Sequence, residues 1–289
     1  MKTYQILAAA LIAGAVSALP VRAGYVDITA NDGIIHHAYG QDPRVGIEES
    51  GSVSTPAINS ADWDLRAFAF DPVKNELTVV SGFDPLKKLG GDNNSQFGLG
   101  DIFIDTNHSF NVPSPLLGNN LNSAFGFEYA IHLINPWSPS PTTPNTISYQ
   151  VLSLAADTKF ELPFYGDQYP ELAKGAPALV SDLGSGSVLS PGLLTTTVST
   201  LSDPQVFANL GLNIGTNGGT NYIFSFDLSG VSLANGATFR LTQECGNDLL
   251  VGQLGPGVAA VPETSTWVMG FLALGAVVFM VRRNAKLAA

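Results

Sequence analysis

Trp63-Asp64-Leu65-Arg66-Ala67-Phe68-Ala69-Phe70 is the stretch that decides the fold class. It alternates between polar and apolar residues, merges into an apolar run, and is stopped by Asp71-Pro72. Successive side chains of a strand point to opposite faces, so this pattern with a turn signal at its end reads as a β-strand. Leu77 to Val80, Asp101 to Asp105, Phe125 to Ile134, Ile147 to Leu154, Tyr222 to Leu228 and Thr238 to Thr242 repeat it. Helical periodicity is confined to short stretches at Pro170 to Ala173 and Asp203 to Asn209. Parallel strands need long crossover connections, usually helical, so strands in such a chain pair antiparallel. The expectation is an all-β protein: a single antiparallel β-sandwich, jelly-roll or Ig-like, over residues 24–255.

Composition agrees with many short strands. The chain has 30 Gly and 18 Pro, and 13% of its residues are charged, where about 25% is usual. Pro136-Trp137-Ser138-Pro139-Ser140-Pro141-Thr142-Thr143-Pro144 is too proline-rich for a central strand. It reads as an extended surface loop between two adjacent strands. Gly255-Pro256-Gly257 opens a flexible linker over residues 256–260. Cys245 is the single cysteine, which excludes an intramolecular disulfide and leaves stability to the core.

The formal net charge is -11. Five of the 13 basic residues sit at the two ends, so residues 24–259 hold 8 basic against 23 acidic residues, a net of -15. A surface this acidic repels phosphate backbones and excludes nucleic acid as a partner. It suits a calcium-binding domain, or one kept soluble after export.

Residues 1–23 read as a cleaved secretory signal peptide. Lys2 gives the positive start, Ile6 through Val16 the short apolar core, and Val21-Arg22-Ala23 the small residues at a cleavage site. Cleavage follows Ala23 or, at a second candidate site, Ala18. The Sec translocon and signal peptidase are the partners this implies. At the other end stand Val261-Pro262-Glu263-Thr264, the apolar run Trp267 through Val281, and Arg282-Arg283-Asn284-Ala285-Lys286. Fifteen apolar residues rise about 22 Å as a helix, so a transmembrane helix over 265–281 is just long enough for a thinned bilayer. Arg282 and Arg283 stay cytoplasmic and leave the large domain outside the inner membrane.

A Pro-Glu dipeptide, one apolar helix and an arginine cluster, paired with an N-terminal signal peptide, resemble the PEP-CTERM sorting segment. The resemblance covers residues 261–286, and Thr264 stands where the usual motif has Pro. It implies processing by exosortase, a membrane-embedded cysteine peptidase, and a link to Gram-negative exopolysaccharide production. Gly100-Asp101-Ile102-Phe103-Ile104-Asp105 and Glu244-Cys245-Gly246-Asn247-Asp248 are similar to segments of other exosortase-sorted surface proteins.

Between the ends, Asp105-Thr106-Asn107-His108-Ser109 puts oxygen-bearing side chains at positions 1, 3 and 5, as a calcium loop begins. Phe110 and Leu116 occupy the places of the essential Gly and Glu, so it is no EF-hand. Asp105, Asn107 and Ser109, with Asp101, Glu244 and Asp248, are candidate calcium ligands; the bland alternative is a polar turn. Trp63, Trp137 and Tyr165 are candidate sugar-stacking aromatics. Cys245 has no local histidine partner, the adjacent His36 and His37 point to opposite faces of a strand, and His132 falls within an apolar strand. No H-x-x-x-H, C-x-x-C, phosphate loop or nucleophile elbow occurs.

These readings point to a non-enzymatic exported protein, transiently in the inner membrane and then at the cell surface or in the extracellular matrix, with structural or adhesive work in exopolysaccharide or biofilm. The alternatives are a carbohydrate-binding module, calcium-dependent or not, and a glycan-active hydrolase built on paired carboxylates.

Overall fold

A computed structural model of the chain describes residues 24–31, 65–90, 96–110, 120–134, 145–163, 177–190, 192–210, 212, 220–244 and 249–257. The signal peptide, the sorting segment with its apolar run, and Trp63, Trp137, Tyr165, Cys245 and Asp248 lie outside the described residues. Among the described residues, no helix is long and apolar enough to cross a membrane.

The protein is all-β and antiparallel. Its first strands are β1 (Val26–Asp27), β2 (Thr29–Asn31), β3 (Leu65–Asp71), β4 (Glu76–Ser81), β5 (Leu89–Gly90), β6 (Gln96–Phe97) and β7 (Leu99–Asp105). There follow β8 (Tyr129–Ile134), β9 (Thr146–Ser153), β10 (Lys159–Glu161), β11 (Leu179–Asp182), β12 (Ser187–Val188) and β13 (Leu194–Thr197). The last are β14 (Ser199–Leu201), β15 (Asn221–Asp227), β16 (Ala237–Gln243) and β17 (Leu249–Leu254). Among the described residues, two helices, Asn122–Phe125 and Asp203–Leu210, interrupt them.

Five strands form one sheet in the order β1-β3-β4-β15-β14. Eight form another, β12-β9-β8-β7-β16-β17-β2, with β13 also paired to β9. The deciding stretch becomes β3, which starts at Leu65 and keeps Asp71 as its last residue. A bulge between Leu65 and Ala67 breaks strict alternation, so both Leu65 and Phe68 face the main core. Beyond it Phe70 faces the core, while Ala67 and Ala69 face the other side of the sheet. Sequence reading started β8 at Phe125. That residue instead ends the short helix, where Gly126 adopts the left-handed conformation of a C-cap, and pairing begins at Tyr129. β8 and β9, which flank residues 135–144, pair from Tyr129↔Ser153 to Ile134↔Ser148.

Side chains from both large sheets share one hydrophobic cluster, including Phe68, Phe70, Phe224 and Phe226 from the first and Ile102, Ile131, Phe239 and Leu250 from the second. Gly252 of β17 permits this packing, since a Cβ there would meet the Phe68 ring at 2.8 Å. Tyr149 of β9 packs edge-on against Phe226 at 4.9 Å, and its hydroxyl accepts the Asp227 N–H at 2.9 Å, tying the sheets together.

Both sides of the structure are closed by a chain segment that changes sheet. β1 pairs with β3 and, one residue later, β2 pairs with β17. Ile28, between them, donates its N–H to Phe68 O and accepts from Gln253 N. On the far side β13 pairs with β9 and β14 with β15, with Val198 at the crossing. The Thr196 hydroxyl accepts the Ser225 N–H across the gap. Among the described residues, the short edge strands of the two large sheets are thus joined in pairs by the chain itself.

The outer faces are covered too. Val206 and Leu210 of helix Asp203–Leu210 sit on Ala67, Ala69, Val80 and Ile223 of the five-stranded sheet. On the eight-stranded sheet, Phe103 is packed by Phe125, Phe127 and Phe160, the last carried by β10. This second cover positions the polar groups described next.

Candidate ligand groove

On the covered face of β7 the sequence places Asp101, Phe103 and Asp105 in alternation, so all three are buried on one side. Asp101 has no solvent exposure. One carboxylate oxygen accepts the Leu133 N–H at 2.9 Å; the other accepts the Val180 N–H at 2.8 Å and lies 2.8 Å from His132 Nδ1. Its own N–H reaches Ala178 O at 2.8 Å. The carboxylate thus joins β7, β8 and β11. Gly100 beside it is dictated by close approach, because a Cβ would lie 2.5 Å from Thr242 O and 2.6 Å from Ala178 O. Burial alone lowers the His132 pKa, but the hydrogen bond and negative charge of Asp101 outweigh it, and the net shift is upward from 6.5.

Asp105 closes its own loop. One oxygen accepts the Ser109 N–H at 3.1 Å and the other the Phe110 N–H at 3.0 Å. Asn107 Oδ1 also accepts the Ser109 N–H, at 2.7 Å, and His108 takes positive φ at the bend. Arg240 lies near, its guanidinium 3.9 Å from the centre of the Phe110 ring. Burial drives its pKa down to about 10, with the Asp105 charge partly opposing.

The candidate calcium ligands are kept apart. Asp101 and Asp105 are four residues along one strand, about 13 Å, and each serves its own set of N–H donors. Glu244 follows β16 at the opposite end from Asp105, since Thr238 pairs with Asp105 and Gln243 with Leu99. Its carboxylate is held by Lys88 at 3.2 Å and by the Gly98 N–H at 2.7 Å. Among the described residues no three His, Cys, Asp or Glu side chains gather as a metal site. Asp105, Asn107 and Ser109 do lie together, as a hydrogen-bonded turn.

That turn forms one wall of a groove of about 400 Å³. Asn107, Ser109, Ser123, Glu128, Tyr129 and Ser153 contribute to its lining, with Phe127 and Leu154 also bordering it. Glu128 is anchored before any ligand arrives: Oε2 accepts the Thr106 N–H at 2.8 Å and its hydroxyl at 3.3 Å, while Oε1 accepts from Asn107 Nδ2 at 2.5 Å. Ser109 Oγ donates to Gly126 O at 3.1 Å. Asn122 supports the opposite wall through buried hydrogen bonds with Phe127 N–H and O and Ala155 O. Tyr129 packs partly against the main core and lines the groove as well.

Sequence reading singled out Asn107 and Ser109 but not Glu128, Tyr129, Ser123 or Ser153. No local signal marks these four, which meet only where the helix Asn122–Phe125 lies beside the adjoining ends of β7, β8 and β9. Comparison with family models, with curated proteins and with solved structures finds no match.

Proposed function

We propose that this chain is an exported surface protein. In this reading Sec and signal peptidase release it after residue 23, and an exosortase processes it at Val261-Pro262-Glu263-Thr264. The mature chain then does structural or adhesive work in extracellular polysaccharide. The two large sheets act as the layers of a single antiparallel β-sandwich. The observation that carries the reading is the order of segments at the C-terminus. β17 ends at Leu254, exposed Gly255-Pro256-Gly257 follows, and the Pro-Glu motif, apolar run and arginine pair come next. A Gly-Pro-Gly stretch is a tether of the kind through which a membrane peptidase could reach a following sorting segment. Edge strands of only two to four residues, β1, β2, β13 and β14, suit a domain that must stay monodisperse among its own copies outside the cell.

A binding role is favoured over hydrolysis by one feature of the groove: Glu128 is its single carboxylate among the described residues, whereas glycoside hydrolysis ordinarily takes two. The test is fractionation of cells and medium carrying the intact chain or one truncated after Gly257. The intact chain is expected to leave the inner membrane in a shortened form. Full-length protein retained there unprocessed would replace the exosortase reading with a plain anchor.

A further inference from the structure

We propose that the groove between the Asp105–Phe110 turn and residues 122–129 binds a neutral saccharide segment. The argument starts from the unused valences of its two best-placed polar groups. A carboxylate offers about four acceptor positions, and an amide nitrogen two donors. Glu128 uses three positions on Thr106 and Asn107, and Asn107 uses one N–H on Glu128. Among the described residues, one acceptor and one donor therefore remain side by side. A hydroxyl both donates and accepts, so it matches that pair, and the Ser109, Ser123 and Ser153 hydroxyls extend the match along the walls.

Charge and shape narrow the class further. The described lining holds one acid and no base, which disfavours phosphates, sulfates and acidic sugars. A single carboxylate is too little for a bare divalent cation, which takes six or more oxygens. Half-buried Tyr129 gives an aromatic edge of the kind a sugar ring's C–H face packs against, while Phe127 beside it is buried in the core. The hydrogen bonds that fix Glu128 and Asn107 are already made, so little ordering cost falls on binding. The groove also lies at the tether end of the molecule: Asp105 pairs with Thr238, next to Ala237, which pairs with Leu254. The site rests on the surface reading only for where its ligand is met.

The full-length chain in a sugar-free detergent is titrated calorimetrically with cellotetraose, maltotetraose and chitotetraose, and with tetragalacturonate as an acidic counterpart. At least one neutral tetrasaccharide is expected to bind saturably, and tetragalacturonate at least tenfold more weakly. E128Q should weaken the neutral ligand about tenfold or more. Ser123→Trp, at an exposed position on the wall, should abolish binding by filling the groove while leaving the unfolding midpoint nearly unchanged. Absence of neutral binding, binding that survives both variants, or equal binding of the acidic tetrasaccharide would overturn the proposal. Export plays no part in this readout, so failure of fractionation and failure of binding are separate results.

Discussion

The Asp101 carboxylate, fully shielded from solvent, holds the His132 ring at 2.8 Å while taking the backbone N–H groups of Leu133 and Val180. One side chain thereby sets where β7 stops pairing with β8 and where β11 is admitted beside it. Replacing it with Asn supplies a single acceptor oxygen where Asp101 uses both, and turns an amide N–H toward a donor. D101N should cost about 2–3 kcal/mol in urea unfolding. A loss below about 0.5 kcal/mol would mean the three-strand junction is held by other contacts.

The same pair predicts a pH dependence of definite sign. The His132 pKa is raised in the folded state, so its stabilising contribution is present below the ordinary imidazole value of about 6.5 and lost as pH rises through the raised value. His132→Gln removes the titration. The stability difference between wild type and this variant should be largest near pH 5 and shrink toward pH 8. A difference that stays constant across that range would refute the linkage.

Chelation should leave the unfolding midpoint unchanged. Both Asp105 oxygens serve backbone N–H groups, and the half-buried Arg240 cation near them repels a divalent ion. Thermal scans with EDTA and with millimolar calcium test this; a rise of several degrees with calcium would restore the metal reading of the loop. D105A, by contrast, should destabilise by about 2–3 kcal/mol, since it takes the acceptors from two backbone N–H groups and removes the negative charge that favours the Arg240 cation.

G100A should be among the most damaging single-methyl additions in the protein. The new Cβ would meet two backbone oxygens, which cannot swing aside as a side chain can. A loss of about 3 kcal/mol is expected by chemical denaturation. Gly192 serves as the contrast: its Cβ would meet nothing within 4 Å, although its φ of 152° still disfavours a side chain.

Phe160→Ala tests the cover on the eight-stranded sheet. Phe160 touches Phe103 at 5.1 Å and Phe125 at 5.4 Å between ring centres, and it is the one buried side chain of its three-residue strand. About 3–5 kcal/mol should be lost. Amide exchange should rise first in β10 and β11, because they depend on that ring.

The sequence by itself determined the longer strands, their antiparallel pairing and the helix at Asp203–Leu210. β9 and β15 rest on a local period, since each buries one face and burial writes itself into about every second residue, while β3, β4, β7 and β16 read as short apolar runs bounded by turn signals. Where both faces are covered the period weakens. Asp101 and Asp105 read as the ends of a strand and as candidate calcium ligands, and their burial was hidden because the partners that satisfy them come from β8, β11 and the following turn. The short strands β1, β2, β10, β11, β12 and β14 have two to four residues each, too few for a period to show. Leu249–Leu254 hides its pattern behind Gly252, whose reason is the Phe68 ring of the other sheet.

The groove was still less legible. Its wall at Asn107 and Ser109 could be found from spacing, but read alone the spacing suggested calcium. Glu128, Tyr129 and Ser153 enter only through the register Tyr129↔Ser153 and Ile104↔Tyr129, which brings three strand ends together. Local chemistry is carried by neighbours in the chain, so sequence reveals it. A binding surface is carried by neighbours in space, and here those neighbours are about 20 to 50 residues apart in sequence, so only the tertiary structure decided which polar groups face one another.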